Sequence, residues 1–441
     1  MKERPTNVRW LIFLLASVTS AILYLHRYTW NVIRPELERE YGFSNTQLDQ
    51  IFAFFQFSYA FGNVPGGIVC DIFGAHIFLS SMILFWSVCL IIFAFAGSFW
   101  AFGGLRLFFG VAQAGAYPAL TSVTKNWFAP ATRTTMQGFI AGTAGRFGGA
   151  LAPIVMATIL MGYFGFSWRV ALVLMASLGV GFAAIFYLFL RNRPDGDKRV
   201  NQAELELIQK GDTTEKPAKG IMSFKKALSR RNFQLLLFQQ YCNAGADIVY
   251  TMVLGSLFMS KGITVAEMGI YASMPMFGGA FGGFVGGVLN DVAIKVTGSR
   301  RWGRTIIGFL GKGIGAVCLF FAIKQSSVAG LAWGLFVVKF FADWSMPTVF
   351  GTCTDIGGRY PATAFSVVNL TGNIGALITP LIIGPLLDHY STIEMINGAA
   401  TRITDYNPMF VLVMVLYLTS ACTWLFLDCT KPLNADKDVT T

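Results

Sequence analysis

Twelve apolar runs, each close to the length a helix needs to cross a bilayer, constrain this 441-residue chain more than any motif does. They fall near 10–33, 47–69, 76–97, 99–124, 134–162 and 167–190, then near 233–259, 266–290, 303–323, 329–351, 362–387 and 408–428. A hydrocarbon core about 30 Å thick takes roughly 20 such residues in helical form. Lipid offers no partner for a backbone N–H or C=O, so each run must satisfy its own hydrogen bonds as a helix. Only 13% of the residues are charged and 54% are hydrophobic, against about a quarter charged in soluble domains. The expected fold is an all-α membrane protein of twelve transmembrane helices.

The net charge of +11 would point a soluble protein toward nucleic acid. Here the basic residues sit mainly in short loops, which is a topology signal, and no nucleic-acid partner is expected. Residues 191–232, the one long polar stretch, carry eleven Lys/Arg against six Asp/Glu, a local excess of 11 − 6 = +5. This linker is therefore placed in the cytoplasm. The tail with Lys2, Arg4 and Arg9 and the 291–304 loop agree with that side, whereas the first loop outside carries Glu36, Glu38 and Glu40. A cell-membrane protein with both termini inside follows. The expected organisation is an N-terminal half over 1–190, the basic linker over 191–232 and a C-terminal half over 233–441. The seven scattered cysteines show no CxxC spacing and read as packing residues. No cofactor or metal is called for.

The chain repeats itself. Gly66-Gly67-Ile68-Val69-Cys70-Asp71 after the second run matches Gly286-Gly287-Val288-Leu289-Asn290-Asp291 after the eighth, with the aspartates 220 residues apart. Duplicated six-helix halves with a site at the bilayer midplane are one large transporter architecture. Glycines at intervals of four (Gly278, Gly282, Gly286; Ala141, Gly145, Gly149) mark faces where helix backbones approach closely.

With these motifs in order, the chain resembles the major facilitator superfamily, and within it the anion:cation symporters, which carry organic anions such as sugar acids. The likeness runs through Gly67-x-x-x-Asp71-x-x-Gly74, with Ile72 and His76 where basic residues are usual. It continues through Tyr24-Leu25-His26-Arg27 with Pro35 eight residues on, Arg106-x-x-x-Gly110-x-x-Gln113-Ala114, Trp127-Phe128 with Arg133, and Ser366-Val367-Val368-Asn369. The resemblance implies alternating access by a monomer, with Asp71 and Asp291 in conformational gating. It also implies a site lined by Tyr24, Arg27, Tyr59 and Asn369. Two carboxylates that the family pattern assigns to proton coupling are absent: His26 and Gln113 stand in their places. Glutamine cannot titrate, and imidazole does so near about 6.5.

Arg27 carries the functional reading from the residues themselves. A charge inside an apolar span costs roughly 2.5–3.5 kcal/mol on insertion scales, a cost usually borne for a binding site. Guanidinium grips a carboxylate as a two-pronged fork. Arg106 and Arg146 offer further anion contacts, or structural and snorkelling roles. Tyr24, Tyr59 and Asn369 supply hydroxyl and amide groups for a polyol chain. Asp247 has no basic residue near it in sequence and is a coupling candidate beside His26 and Gln113, whereas Lys339 and Asp343, four apart, read as an intrahelical pair. Gly311-Lys312-Gly313 is set aside as a phosphate loop because it lacks the flanking glycine and hydroxyl residue. The expectation is a secondary carrier of a small organic anion, a hexonate or hexuronate favoured, with protons as possible partners. An uncoupled exchanger and a non-transporting sensor stand as alternatives, and no enzyme chemistry is visible.

Overall fold

A computed structural model of the chain describes residues 4–129, 132, 136–209, 227–357, 361–396, 399–431 and 433. Among these described residues the regular structure is helical apart from one antiparallel hairpin, β1 (Ser391–Ile396) and β2 (Ala399–Thr404), paired from Ser391↔Thr404 to Ile396↔Ala399. Among the described residues nine helical stretches are long and apolar enough to cross a membrane. Three expected spans are missing from that set. The 99–124 run breaks at Gly115 into α4 (Phe99–Ala114) and α5 (Ala116–Trp127). The 233–259 run is divided into α9 (Arg231–Asp247), α10 (Val249–Met252) and α11 (Leu254–Met259). The 47–69 run is helical but carries Gln47, Asp49, Gln50, Gln56 and Asn63.

The chain divides into two compact units: Met1–Glu40 with Gln50–Glu215 and Thr264–Ser273, and Tyr41–Asp49 with Lys216–Ile263 and Met274–Thr441. In the first unit, α1 (Val8–Tyr28) ends at Thr29, whose Oγ1 donates to His26 O at 2.7 Å, and α2 (Trp30–Tyr41) starts immediately after. Glu36, Glu38 and Glu40, expected in a loop, are on this second helix. Glu40 accepts from Trp168 Nε1 (3.0 Å) and forks with Arg169 at 2.6 Å, tying α2 to the start of α7 (Trp168–Phe189). Serine side chains start several helices: Ser98 accepts from Ala101 N and Ser167 from Val170 N, each cap contributing about 1 kcal/mol. The start of α1 is capped from a distance, by Glu204 of the short α8 (Gln202–Gln209), which accepts from Val8 N at 3.2 Å and Arg9 N at 3.1 Å.

The helix α3 (Asn45–Phe93) is bent at Gly74, whose φ of 77° belongs to the left-handed region that glycine tolerates. The glycine ends the 67–74 motif, and the chain beyond it docks on the end of α7. Asn192 Oδ1 accepts from His76 N at 2.8 Å, His76 Nε2 lies 2.6 Å from Tyr187 O, and Trp127 Nε1 donates to Arg191 O at 2.9 Å. The side chain of Asp71, a gating candidate, lies outside the described residues, as does Arg133.

Next to α1 runs α6 (Gly145–Pro153), flanked by π-helical turns over Phe139–Ala144 and Ile154–Tyr163. A Cβ on Gly148 would strike the backbone carbonyl of Ala21, and one on Gly145 would lie 3.0 Å from Tyr24 ring atoms. A valine at 148 cannot enter without parting the two helices, and overpacking of this kind costs about 1–3 kcal/mol or more. Gly148→Val is therefore expected to lower the monodisperse yield and melting temperature of the purified protein, both readable by size-exclusion chromatography and thermal unfolding.

The second unit is built from α9 to α11 with α12 (Val265–Thr297), α13 (Arg300–Ala322), α14 (Val328–Ala342), α15 (Ser345–Gly357), α16 (Pro361–His389) and α17 (Asn407–Phe426). Residues 265–273 of α12 belong to the first unit, where Thr158 Oγ1 donates to Ala266 O at 2.6 Å. Phe233, Leu236, Ile356, Val368 and Trp424 form a buried apolar cluster joining α9, α15, α16 and α17. Asp388 accepts from Asn45 N and Thr46 N, both at 2.9 Å, and so caps the start of α3.

Candidate functional site

The break at Thr29, about two-thirds along the 34-residue helical stretch Val8–Tyr41, puts Arg27 in the last turn of α1. A helix C-terminus favours a cation there. Three rings surround the guanidinium: its carbon is 4.4 Å from the Tyr59 ring centre and 5.1 Å from those of Tyr24 and Phe55. Cation–π attraction of this kind is worth up to about 2 kcal/mol when the group is desolvated. Gln113 completes the pocket. Its Oε1 accepts from Arg27 Nε at 3.1 Å while its Nε2 donates to Leu23 O at 3.1 Å, which fixes the amide. Tyr117 closes one side, its hydroxyl 3.0 Å from Ser20 Oγ and its ring 6.5 Å from that of Tyr24.

What the pocket lacks is an anion. Among the described residues no carboxylate pairs with Arg27, and its Nη2 is buried without a hydrogen-bond partner. A buried polar group left in that state costs about 1–3 kcal/mol, and more when it is charged. An anionic ligand supplying oxygens to Nη2 removes that cost, and Tyr24 and Tyr59 stand beside it with hydroxyls.

His26 is next to Arg27 in sequence and faces the other way. Its Nδ1 accepts from Trp86 Nε1 at 3.2 Å and its Nε2 lies 2.9 Å from Met175 O, which assigns the proton to Nε2. The ring is fully buried, with Gly179 against it. Both nitrogens are occupied by neutral partners in a single tautomer, the arrangement of a structural histidine. His26→Gln is expected to leave the pH profile of uptake unshifted. It costs about 1–3 kcal/mol of stability through the buried partner it strands, which a thermal-unfolding comparison reads.

Arg106 is enclosed rather than presented. It is 1% exposed, its guanidinium carbon 4.3 Å from the Trp30 ring centre and within 5.6 Å of those of Phe93 and Phe109. Arg146 is half-buried on α6, next to the Gly145 that abuts Tyr24. The structure thus joins Tyr24, Arg27, Tyr59 and Gln113 in one pocket, with Arg106 in an aromatic box of its own.

In the second unit Asn369 is exposed on α16 and Asp291 is exposed near the end of α12. The segment 291–304, expected as a loop, is the end of α12 and the start of α13, and its ion pairs run from Arg304 and Arg300 to Asp355, at 2.7 and 3.5 Å, and from Arg301 to Asp428 at 3.7 Å. Asp247, which lacks a basic neighbour in sequence, has one in space: Lys339 Nζ is 3.0 Å from its Oδ1, and Tyr417 Oη donates to the same oxygen at 2.8 Å. The same ammonium group reaches Asp343 at 2.9 Å, so the intrahelical pair does form. Lys312, from the Gly-Lys-Gly stretch dismissed as a phosphate loop, is fully buried 4.6 Å over the Tyr417 ring. Its place in an apolar helix was the available signal, since a lysine there is a functional residue by default.

The Major Facilitator Superfamily profile matches residues 16–380 and again 236–437. The chain belongs to the major facilitator superfamily; it is a membrane transport protein and not an enzyme. It is 27% identical over 420 residues to a protein of Cupriavidus necator described as the probable sulfoacetate transporter SauU, covering 93% of this chain and 95% of that one. It is 25% identical over 437 residues to the probable galactarate/D-glucarate transporter GarP of Escherichia coli, covering 95% of each. Among solved structures, a bacterial homologue of the human lysosomal transporter Spinster, inward-facing and unoccupied, superposes with a TM-score of 0.74 at 17% identity over 96% of this chain and 95% of that one. The nucleoside transporter NupG gives 0.62 at 15% over 94% and 98%. At those identities the structural likeness establishes the fold alone.

Proposed function

We propose that the chain is a secondary carrier of a small organic anion, working by alternating access, with sugar acids favoured. The observation that carries the reading is Arg27: a buried guanidinium in an aromatic pocket, with Nη2 unpartnered and no protein carboxylate beside it among the described residues. The relatives named for sulfoacetate and for galactarate/D-glucarate support the anionic class, since all three compounds carry two acidic groups. Tyr24 and Tyr59 suit a hydroxylated substrate, and Asn369 is a further polyol contact in this reading. Protons are the coupling ion. With Gln113 untitratable and His26 engaged on both nitrogens, the titratable group lies outside the Arg27 pocket.

The remaining parts of the reading follow the charge pattern and the repeat. Twelve spans in two halves, 1–190 and 233–441, flank a cytoplasmic linker over 191–232. The protein is a monomer in the cell membrane with both termini inside, and Asp71 and Asp291 act in gating. The test is uptake of labelled sulfoacetate, D-glucarate, D-galactonate and a hexuronate into proteoliposomes, with and without an inward proton gradient. Gradient-driven accumulation of one of them is expected. Equilibrating uptake that ignores the gradient would replace symport by uncoupled exchange, and no uptake of any would overturn the substrate class.

A further inference from the structure

The charges around Asp247 are unused by the Arg27 pocket. Two ammonium groups, Lys312 and Lys339, and two carboxylates, Asp247 and Asp343, meet beside the hydroxyls of Tyr250 and Tyr417. Lys339 Nζ bridges the carboxylates at 3.0 and 2.9 Å and lies 5.2 Å from the Tyr250 ring centre. Solvent reaches these groups unequally. The Asp247 side chain is 23% exposed, against 6% for Lys339 and 3% for Asp343. The carboxylate that water can reach is therefore also the one that holds the lysine from outside its own helix.

On the reading that the chain carries an organic anion, we propose that this cluster is a site where a proton and an anionic group bind together. Asp247 takes a proton from water, and Lys339, released from it, receives an anionic group of the substrate in its place. With Asp247 ionised, two cations face two anions and the cluster makes no demand for a ligand. With Asp247 protonated, the excess is one positive charge, which one carboxylate or sulfonate balances. Loss of the proton restores the Asp247–Lys339 pair and expels the anion. One proton thus accompanies each anionic group held at this site.

The surroundings fit such a swap. Tyr417 donates to Asp247 Oδ1 from α17, and Lys312 of α13 sits over the same tyrosine ring, keeping a positive field in place when Lys339 moves. Residues 364–387 of α16, which packs on α9, contain no titratable side chain. Its contribution beside Asp247 is backbone and Thr379, near Gly245. From α12 the nearest element is Gly279, where a Cβ would lie 3.3 Å from Lys339 Cε, so room for lysine movement depends on that glycine. Asp343, also abutting Gly279, keeps the lysine tethered in either state.

The test has two arms on the full-length protein. In pH-difference infrared spectra without substrate, wild type and Asp343→Asn are expected to carry a protonated-carboxyl component that remains after the Asp247→Asn spectrum, which holds the bands of the chain's other acidic residues, is subtracted. In proteoliposome counterflow with sulfoacetate and with D-glucarate, wild-type apparent affinity is expected to fall about tenfold per pH unit once Asp247 ionises, the slope of one linked proton. Asp247→Asn is expected to flatten that slope. No component left in the wild-type spectrum after that subtraction, or an unchanged slope in Asp247→Asn, would overturn the proposal. Absence of counterflow with any anion would overturn the carrier reading instead, and the infrared band would still decide where the proton is held.

Discussion

Arg27→Ala is expected to reduce uptake of the transported anion by about thirtyfold to several thousandfold, measured as initial rate over KM in proteoliposomes. The range follows from truncating one partner of a buried charge-assisted contact, which costs about 2–5 kcal/mol, at about 1.4 kcal/mol per tenfold. Arg27 is also the group that Gln113, Tyr24, Tyr59 and Phe55 are arranged around. Arg27→Lys separates charge from geometry. Lysine keeps the cation but cannot donate to Gln113 Oε1 through one nitrogen while offering a planar pair to a carboxylate. A loss of about tenfold or more in the lysine variant marks fork recognition, whereas full activity in it would reduce the role of Arg27 to a point charge. Melting temperature of the variants separates binding from folding, since Arg27→Ala also removes the contacts to Gln113, Tyr24, Phe55 and Tyr59.

Lys339→Met is expected to give the largest loss of stability among single changes in the second unit. It leaves Asp247 and Asp343 without the ammonium group that bridges them, and removing one partner of a buried ion pair costs about 3–5 kcal/mol. Lys339→Met combined with Asp343→Asn leaves Asp247 facing Lys312 and Tyr417, with one charge of each sign. The pair of changes is therefore expected to recover most of the lost melting temperature. Two independent losses that add would show that the residues do not share a network.

Much of the fold was legible because membrane helices follow from composition: a run of apolar residues has few other structures open to it. The breaks were harder to read. Gly115 interrupts the fourth run with Pro118 three residues on, in the first turn of the helix that follows, whereas residues 247–254 interrupt the seventh with no proline to announce it. Glu36, Glu38 and Glu40 suggested a loop by charge, yet Glu40 anchors a helix through Arg169 and Trp168.

Around Arg27, four residues that sequence position or the family resemblance singles out, Tyr24, Arg27, Tyr59 and Gln113, converge. Phe55 and Tyr117 were missed, since an aromatic residue in an apolar helix has no signature that separates a ring facing a guanidinium from one facing its neighbours. The opposite orientations of His26 and Arg27 come from their places on the helix turn. Only the positions of Trp86 and Met175 reveal that the histidine is engaged. Asp247 looked unpartnered because Lys339 lies 92 residues away in sequence (339 − 247) and joins it only through packing.

The most direct test of the central claim, an anion held at Arg27, is a calorimetric titration of the purified protein with D-glucarate and with the uncharged polyol of the same carbon skeleton. The account predicts saturable binding of the acid, none of the polyol, and loss of the acid's signal in Arg27→Ala. Equal binding of acid and polyol, or binding of the acid that survives Arg27→Ala, would contradict it.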